Sequence, residues 1–120
     1  MLFFLLLTVS LHAKRDNPES WYVDLVQMSL GGDQNVRMSN GTYCDLLTAD
    51  CAWEVDFADK WAESIGQSLN YSTQSGRPAG IILIMESDKD QRFVDRLKSV
   101  IESHRLPITL RVWRSGESRD

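Results

Sequence analysis

The 120-residue sequence has few of the residues that stabilise small folds through disulfides, metal ligation or a stiffer backbone, with only two cysteines, two histidines and three prolines. These cysteines and histidines make a four-ligand zinc site only if all four converge, and His12 lies in a segment that we expect to be removed. Basic residues are also in short supply, with 13 Lys and Arg against 17 Asp and Glu. These shortages argue against a structural zinc module and against a generally basic nucleic-acid-binding surface, although a local basic patch stays open.

The length and composition bound the fold. A chain of 120 residues has room for one domain, and its 42% hydrophobic and 25% charged residues are typical of a globular fold. That balance argues against a disordered chain. No stretch approaches the ~20 apolar residues that a membrane-spanning helix needs, so we expect no span in the mature chain.

The N-terminal segment carries a targeting signal. Residues 2–11 are uncharged and mostly apolar, which is typical of the core of a signal peptide, and Ala13 offers a cleavage point. We therefore expect residues 1–13 to be a signal peptide that lies apart from the fold, and residues 14–120 to form one exported domain, periplasmic or secreted. The lack of Lys and Arg ahead of the apolar run favours instead a misannotated start or a buried N-terminal element.

Cys44 and Cys51 are open to two interpretations. Export would place them where disulfides form, and their spacing permits a bridge. Two partly buried thiols are the alternative, and the sequence favours neither. A reactive thiol has less support, because His104 is the only histidine of the mature chain that could act as its base.

Helix and strand signals follow one another in the order αβββαβαβ. Pro18 and Glu19 suit the first turn of a helix, Glu19 because its charge complements the positive end of the helix dipole. Gly31 predicts the end of this helix, and Asn40-Gly41 is a strong hairpin signal. The later elements are a strand at 52–57, a helix at 58–75, a strand at 81–85, a helix at 88–105 and a strand at 108–113. This order predicts an α/β fold with a mixed β-sheet flanked by helices.

Two apolar patterns predict how the core packs. Residues 52–57 alternate strictly, and the apolar set on one side is Trp53, Val55 and Phe57. The helix that follows repeats apolar residues at helical spacing, namely Trp61, Ile65 and Leu69. We expect these two sets to pack against each other, and the continuous apolar run at residues 81–85 to be covered on both faces.

Acidic residues converge on the other side of the strand at 52–57. Glu54 and Asp56 project together from it, and Asp45 lies on the adjacent strand. Carboxylates on neighbouring strands can share Mg²⁺, which activates water and balances charge on a phosphate. Lys60, in the first turn of the next helix, could orient the water or neutralise developing charge. The alternative is a solvated strand face on which Lys60 pairs with Asp56.

The same helix carries a polar stripe that includes Gln67 and Tyr71. The two stretches at residues 31–48 and 53–71 resemble a group of small exported bacterial proteins, which is similar to the PD-(D/E)xK nuclease superfamily of restriction endonucleases and Holliday-junction resolvases. The resemblance covers about residues 20–113. It implies a restriction-endonuclease-like core, since the superfamily core has the order αβββαβ.

The resemblance also implies roles for particular residues. Asp45 matches the first metal-binding aspartate and Glu54 matches the acid of the (D/E)xK strand, so both would bind Mg²⁺. Gln67 and Tyr71 match the glutamine and the aromatic residue of the helix in resolvase-like members, and they would contact nucleic acid. The catalytic set implied in this way is Asp45, Glu54, Lys60 and Gln67.

The sequence departs from the superfamily pattern at several positions. Asp56 stands where the motif has lysine, and Lys60, one turn into the helix, is the natural substitute. Asn35 stands where relatives tend to carry a glutamate, and Tyr43 stands where they carry a basic residue. Each change is compatible with the fold but bears directly on catalysis.

Three functions compete. The first is a Mg²⁺-dependent endonuclease, a hydrolase that cleaves phosphodiester bonds of DNA or RNA outside the cytoplasm. The second is a catalytically inactive exported domain of the same fold that binds nucleic acid or a protein partner. The third is a structural module of the cell envelope without a site. Close approach of Asp45, Glu54 and Lys60 would favour the first.

Overall fold

Three helices and five strands make up the fold in a computed structural model that describes residues 15–116. The predicted signal peptide at residues 1–13 lies outside the described residues. The helices are α1 (Glu19–Leu30), α2 (Trp61–Ser75) and α3 (Gln91–His104). The strands are β1 (Asp33–Arg37), β2 (Tyr43–Leu47), β3 (Ala52–Phe57), β4 (Ala79–Met85) and β5 (Ile108–Arg114). Short 3-10 turns at Ala58–Lys60 and Asp88–Asp90 lead into α2 and α3.

The strands form one mixed sheet in the order β1-β2-β3-β4-β5. The β1–β2 and β2–β3 pairs are antiparallel, whereas the β3–β4 and β4–β5 pairs are parallel. The predicted hairpin turn joins β1 to β2, where Gly41 has a φ of 88° that a side chain would disfavour. The prediction of an α/β fold with a mixed sheet flanked by helices is confirmed.

The two faces of the sheet are covered by different helices. On one face α1 places Tyr22, Val23 and Val26 against the apolar residues of β3 and against Ile82 and Ile84 of β4. The opposite face of β4 packs against α2 and α3. All seven residues of β4 are buried, which confirms that its apolar run is covered on both sides.

The expected packing of Trp53, Val55 and Phe57 against α2 is wrong. These three side chains belong to the cluster formed with α1. The apolar stripe of α2, which consists of Trp61, Ile65 and Leu69, packs instead with α3 and with the other face of β4. Both crossover helices follow consecutive parallel strands, and such right-handed connections lie on the same face of the sheet. That face of β3 carries Glu54 and Asp56.

Trp53 can pack flat against the sheet because residue 80 is glycine. A β-carbon at Gly80 would overlap the Trp53 ring and come within 2.5 Å of Cys51 Sγ. The indole nitrogen of Trp53 donates a hydrogen bond to Thr48 Oγ1 at 3.2 Å. The close approach of β4 to this ring therefore requires glycine at position 80, which has no side chain.

Cys44 and Cys51 are buried free thiols in the structure. Cys44 packs with Tyr71 on the α2 side, whereas Cys51 packs with Trp53 on the α1 side. Burial raises the pKa of each thiol to about 11. Both cysteines are therefore protonated core residues at neutral pH, as their packing requires.

Candidate functional site

The acidic side of β3 is buried beneath α2. Glu54 is 3% exposed and Asp56 is 5% exposed. The helix presents its small buried residues Ser64 and Ser68 on this side, while its apolar stripe faces α3. The interpretation of Glu54 and Asp56 as a solvated strand face is therefore wrong.

The Asp45 side chain links β2 to β3 beyond their paired residues. The paired residues of these strands include Leu46 and Trp53. At the next residue of β2, a side chain replaces the backbone as the partner of β3, because Asp45 Oδ2 accepts the backbone N–H of Val55 at 2.8 Å. This bond anchors a half-buried carboxylate beside Glu54 on the neighbouring strand.

Asp45 and Glu54 form a carboxyl pair in which Glu54 is buried and Asp45 is half-buried. Burial raises the pKa of Glu54 to about 10, together with the charge of Asp45 and a hydrogen bond between the two groups. Burial also raises the pKa of Asp45, although the Val55 N–H opposes this shift. Among the described residues, Glu54 Oε2 has no hydrogen-bond partner. The pair therefore holds a proton at neutral pH and leaves one buried oxygen unsatisfied.

A second carboxyl pair joins Asp56 to Glu19, the first residue of α1. Burial raises the pKa of Asp56 to about 7, and the charge of Glu19 and a hydrogen bond with it add to the shift. Burial and the charge of Asp45 raise the pKa of Glu19 in turn. From its place in the sequence, Glu19 was expected only to suit the helix N-terminus, and no spacing rule connects residue 19 to the strand of residue 56.

Lys60 acts on the carboxyl groups of Asp56 and Glu19 through its charge. It is the exposed residue at the N-terminal end of α2. Its positive charge lowers the pKa values of Asp56 and Glu19 and so opposes the upward shift that burial causes. Lys60 forms no ion pair with these acids in the part of the chain that the structure describes, and its expected approach to Asp45 and Glu54 stays a prediction.

Gln67 and Tyr71 take up different positions on α2. Gln67 is exposed to solvent. Tyr71 is 6% exposed and packs with Met38, Cys44 and Ala52. Burial, followed by the charges of Glu54 and Asp45, raises the pKa of Tyr71. Tyr71 thus belongs to the interior of the site and Gln67 to its outer surface.

The two other departures from the superfamily pattern lie on β1 and β2. Asn35 adopts a left-handed conformation with a φ of 52°, which asparagine tolerates better than most residues. It lies between the paired positions Gln34 and Val36 of β1, and its side chain is exposed. Tyr43, at the start of β2, is 50% exposed. Neither joins the buried acids.

The donor set of the site suits a hard cation better than a soft one, because it consists of carboxylate oxygens. Within residues 15–116, no three His, Cys, Asp or Glu side chains surround one point as ligands of a metal ion. Mg²⁺ commonly uses only one or two carboxylates and completes its shell with water and substrate phosphate. The unsatisfied Glu54 Oε2 beside Asp45 fits such a pair of ligands.

A cavity of about 470 Å³ lies elsewhere, at the carboxyl ends of β4 and β5. Its wall includes Glu86, Asp88 and Arg114. Glu86 is already engaged, since its Oε2 accepts the Tyr22 hydroxyl at 2.7 Å and the Asp16 N–H at 3.0 Å. None of the predicted catalytic, metal-binding or nucleic-acid-binding residues lines this cavity.

Comparisons with protein-family models, curated proteins and solved structures find no match for this chain. Among residues 15–116, every helix is too short or too polar to cross a membrane. A function for this chain must therefore be inferred from the geometry and chemistry of its buried carboxyl groups.

Proposed function

We propose that this protein is a metal-dependent nuclease with a PD-(D/E)xK-like core, in which Asp45 and Glu54 bind Mg²⁺. The observation that carries the proposal is the buried Glu54 carboxyl, which lies beside Asp45 with one oxygen unsatisfied. Buried polar atoms without partners are rare in folded proteins, and those that occur call for a role. A divalent cation would satisfy this oxygen.

The residues of the site have separate tasks in this proposal. Asp45, anchored by the Val55 N–H, supplies a fixed carboxylate. Glu54 supplies the second carboxylate once its proton has left, so cation binding and proton release are coupled. When bound, Mg²⁺ would activate a water molecule and balance charge on the phosphate.

Lys60 and Gln67 serve the substrate in this proposal. Lys60 is exposed at the N-terminal end of α2, and its role in the proposal is to neutralise charge that develops on a phosphate. Exposed Gln67 can donate to a phosphate oxygen of DNA or RNA. The expected export would place this activity in the periplasm or outside the cell.

Cleavage of DNA and RNA by the purified chain, with and without Mg²⁺, tests the proposal. We expect Asp45→Asn and Glu54→Gln each to lower cleavage by about 10²-fold or more, because each removes a charged ligand. Lys60→Ala should also lower it. Asp95→Asn is the matched control, since Asp95 is exposed on α3. Cleavage that survives the first two substitutions would contradict the proposal.

A catalytically inactive domain of the same fold is the second candidate, and Asp56 is the observation that favours it. A buried carboxyl stands where the superfamily motif has lysine, and it adds negative charge to a site that must receive a phosphate. Mg²⁺-independent binding of a nucleic acid or a protein, without cleavage under any divalent cation, would favour this candidate.

A further inference from the structure

Two exposed arginines of α3 stack on an aromatic ring and do not pair with carboxyl groups. The Cζ atoms of Arg92 and Arg96 lie 4.6 Å and 5.5 Å from the centroid of the Phe93 ring. Among residues 15–116, neither guanidinium group forms an ion pair. A guanidinium that stacks on a ring keeps its in-plane N–H donors for other partners, so both arginines can still bind an anion.

The acid that lies between these arginines in the sequence is already engaged. Asp95 Oδ1 accepts the side-chain N–H of Gln91 at 3.0 Å. The side-chain oxygen of the same Gln91 accepts Arg114 Nη2 at 3.1 Å. Asp95 therefore bonds to Gln91 and not to the arginines that flank it, whose positive charges are left for a partner outside the chain.

The arginines begin a polar stripe along α3. Four exposed residues fall within about 60° of one another around the helix axis, namely Arg92, Arg96, Ser99 and Ser103. Val94 and Leu97 are the buried residues of the same helix. The stripe thus offers two cations followed by two hydroxyl groups, and both kinds of side chain commonly bind the phosphates of nucleic acids.

This stripe is connected to the proposed active site through the packing of α3. The helix contacts α2 and the 3-10 turn at Ala58–Lys60. Phe93, on which the two arginines stack, packs against the buried cluster to which Ala58 belongs. The arginines are therefore tied through Phe93 to the turn that carries Lys60, the residue assigned to the phosphate in the proposed function.

We propose that Arg92 and Arg96 form a docking surface for the phosphate backbone of a nucleic acid. Charge complementarity carries the proposal, because arginine stays ionised at every physiological pH and these two guanidinium groups have no acidic partner. The chain as a whole has a net charge of −4, so a local pair of cations decides where a polyanion binds. The inference rests on the proposed function, since it takes nucleic acid as the substrate.

The affinity of the full chain for a labelled DNA duplex and for a labelled single-stranded RNA, measured by fluorescence anisotropy in EDTA, tests this surface. Arg92→Gln combined with Arg96→Gln should weaken binding about 10²-fold at about 0.1 M salt. The slope of log K against log salt should become shallower by about two, because two phosphate contacts are lost.

Lys98→Gln combined with Arg105→Gln is the matched control. It removes the same charge from exposed residues on another side of α3 and at its C-terminal end. We expect this control to bind within about threefold of the parent, because salt screens the effect of net charge alone. Labelled polyglutamate is the control ligand, and we expect the two arginines to have little effect on its binding.

The outcomes separate this inference from the function it rests on. If the parent binds nucleic acid and the Arg92 and Arg96 variant binds it equally well, the docking surface is overturned. An equal loss in the control variant, or an equal dependence of polyglutamate on the two arginines, would also overturn it. A parent that binds neither nucleic acid overturns it as well. Binding that requires the two arginines, without cleavage in Mg²⁺, would support the docking surface and contradict the nuclease function.

Discussion

On one side of β3, Trp53 and Val55 pack with the apolar residues of α1, whereas on the other side Glu54 and Asp56 lie beneath α2. Both sides are buried to a similar degree. Burial removes apolar area from water on the first side, which stabilises the fold. On the second side it raises the pKa of two carboxyls and leaves Glu54 Oε2 without a hydrogen-bond partner among residues 15–116.

The apolar side of β3 contributes to stability, whereas the acidic side does not. A strand that needed only to be stable would carry apolar residues on both sides, as β4 does. The acidic side of β3 costs free energy, because buried carboxyl groups must either keep a proton or lose hydration. This cost is the reason for the proposal that the acidic side of β3 binds a cation.

The largest expected effect is on the apolar side. Trp53→Ala should lower the free energy of unfolding by about 3–5 kcal/mol, because it removes a buried ring and leaves a cavity. Chemical denaturation measures this change. Trp21→Ala is the control, since Trp21 is 42% exposed on α1, and we expect it to cost under about 1 kcal/mol. Equal losses would mean that the apolar side is not the main source of stability.

The close contact at Gly80 is the next test. Gly80→Ala should destabilise by about 1–3 kcal/mol, because its methyl group overlaps the Trp53 ring. Gly66→Ala is the matched control on α2, where a β-carbon meets nothing within 4 Å. We expect that variant to be more stable by about 0.5–1 kcal/mol through helix propensity. Thermal unfolding of both variants shows whether the packing of Trp53 sets the difference.

On the acidic side of β3, we expect a substitution to raise the free energy of unfolding, not to lower it. Glu54→Gln should raise the free energy of unfolding at pH 8 by about 1–2 kcal/mol in the presence of EDTA, because it removes a buried ionisable group. Glu63→Gln changes an exposed acid on α2 and should have little effect. A clear loss of stability in Glu54→Gln would mean that this carboxyl stabilises the metal-free fold.

The pH dependence of stability follows from the same groups. The pKa of Asp56 rises from 3.8 to about 7 and that of Glu54 from 4.5 to about 10 on folding. The folded state then holds more protons than the unfolded state between these limits, so stability is greatest below about pH 4 for these groups and falls as pH rises. Each proton contributes a slope of up to about 1.4 kcal/mol per pH unit. Mg²⁺ should flatten the slope, and denaturation curves from pH 4 to pH 9 measure it.

The smallest effect is expected at Lys60. Its charge favours the ionised forms of Asp56 and Glu19, so Lys60→Met should reduce stability at pH 8. Lys60 is exposed, and we expect the loss to stay under about 1 kcal/mol. Lys98→Met on α3 is the control with an equal change of charge. Identical losses in the two variants would show that Lys60 acts only through net charge.

Local signals in the sequence determined much of the fold. The Asn40-Gly41 turn, the helix end at Gly31 and the apolar run in β4 were predictable, because each depends on neighbouring residues alone. The pairing of Asp45 with Glu54 was also predictable. Two strands joined by a short loop lie side by side, and alternation places these carboxyls on the same face.

Only the tertiary structure decided what covers each side of β3. Strict alternation divides the strand into two sides, but it does not say which side meets α2, so the expected contact between Trp53 and the α2 stripe was wrong. The crossover connections settle that choice when the whole sheet forms. The interaction of Glu19 with Asp56 and the burial of Tyr71 against β2 and β3 join segments that are distant in the chain, and such contacts leave no period in the sequence.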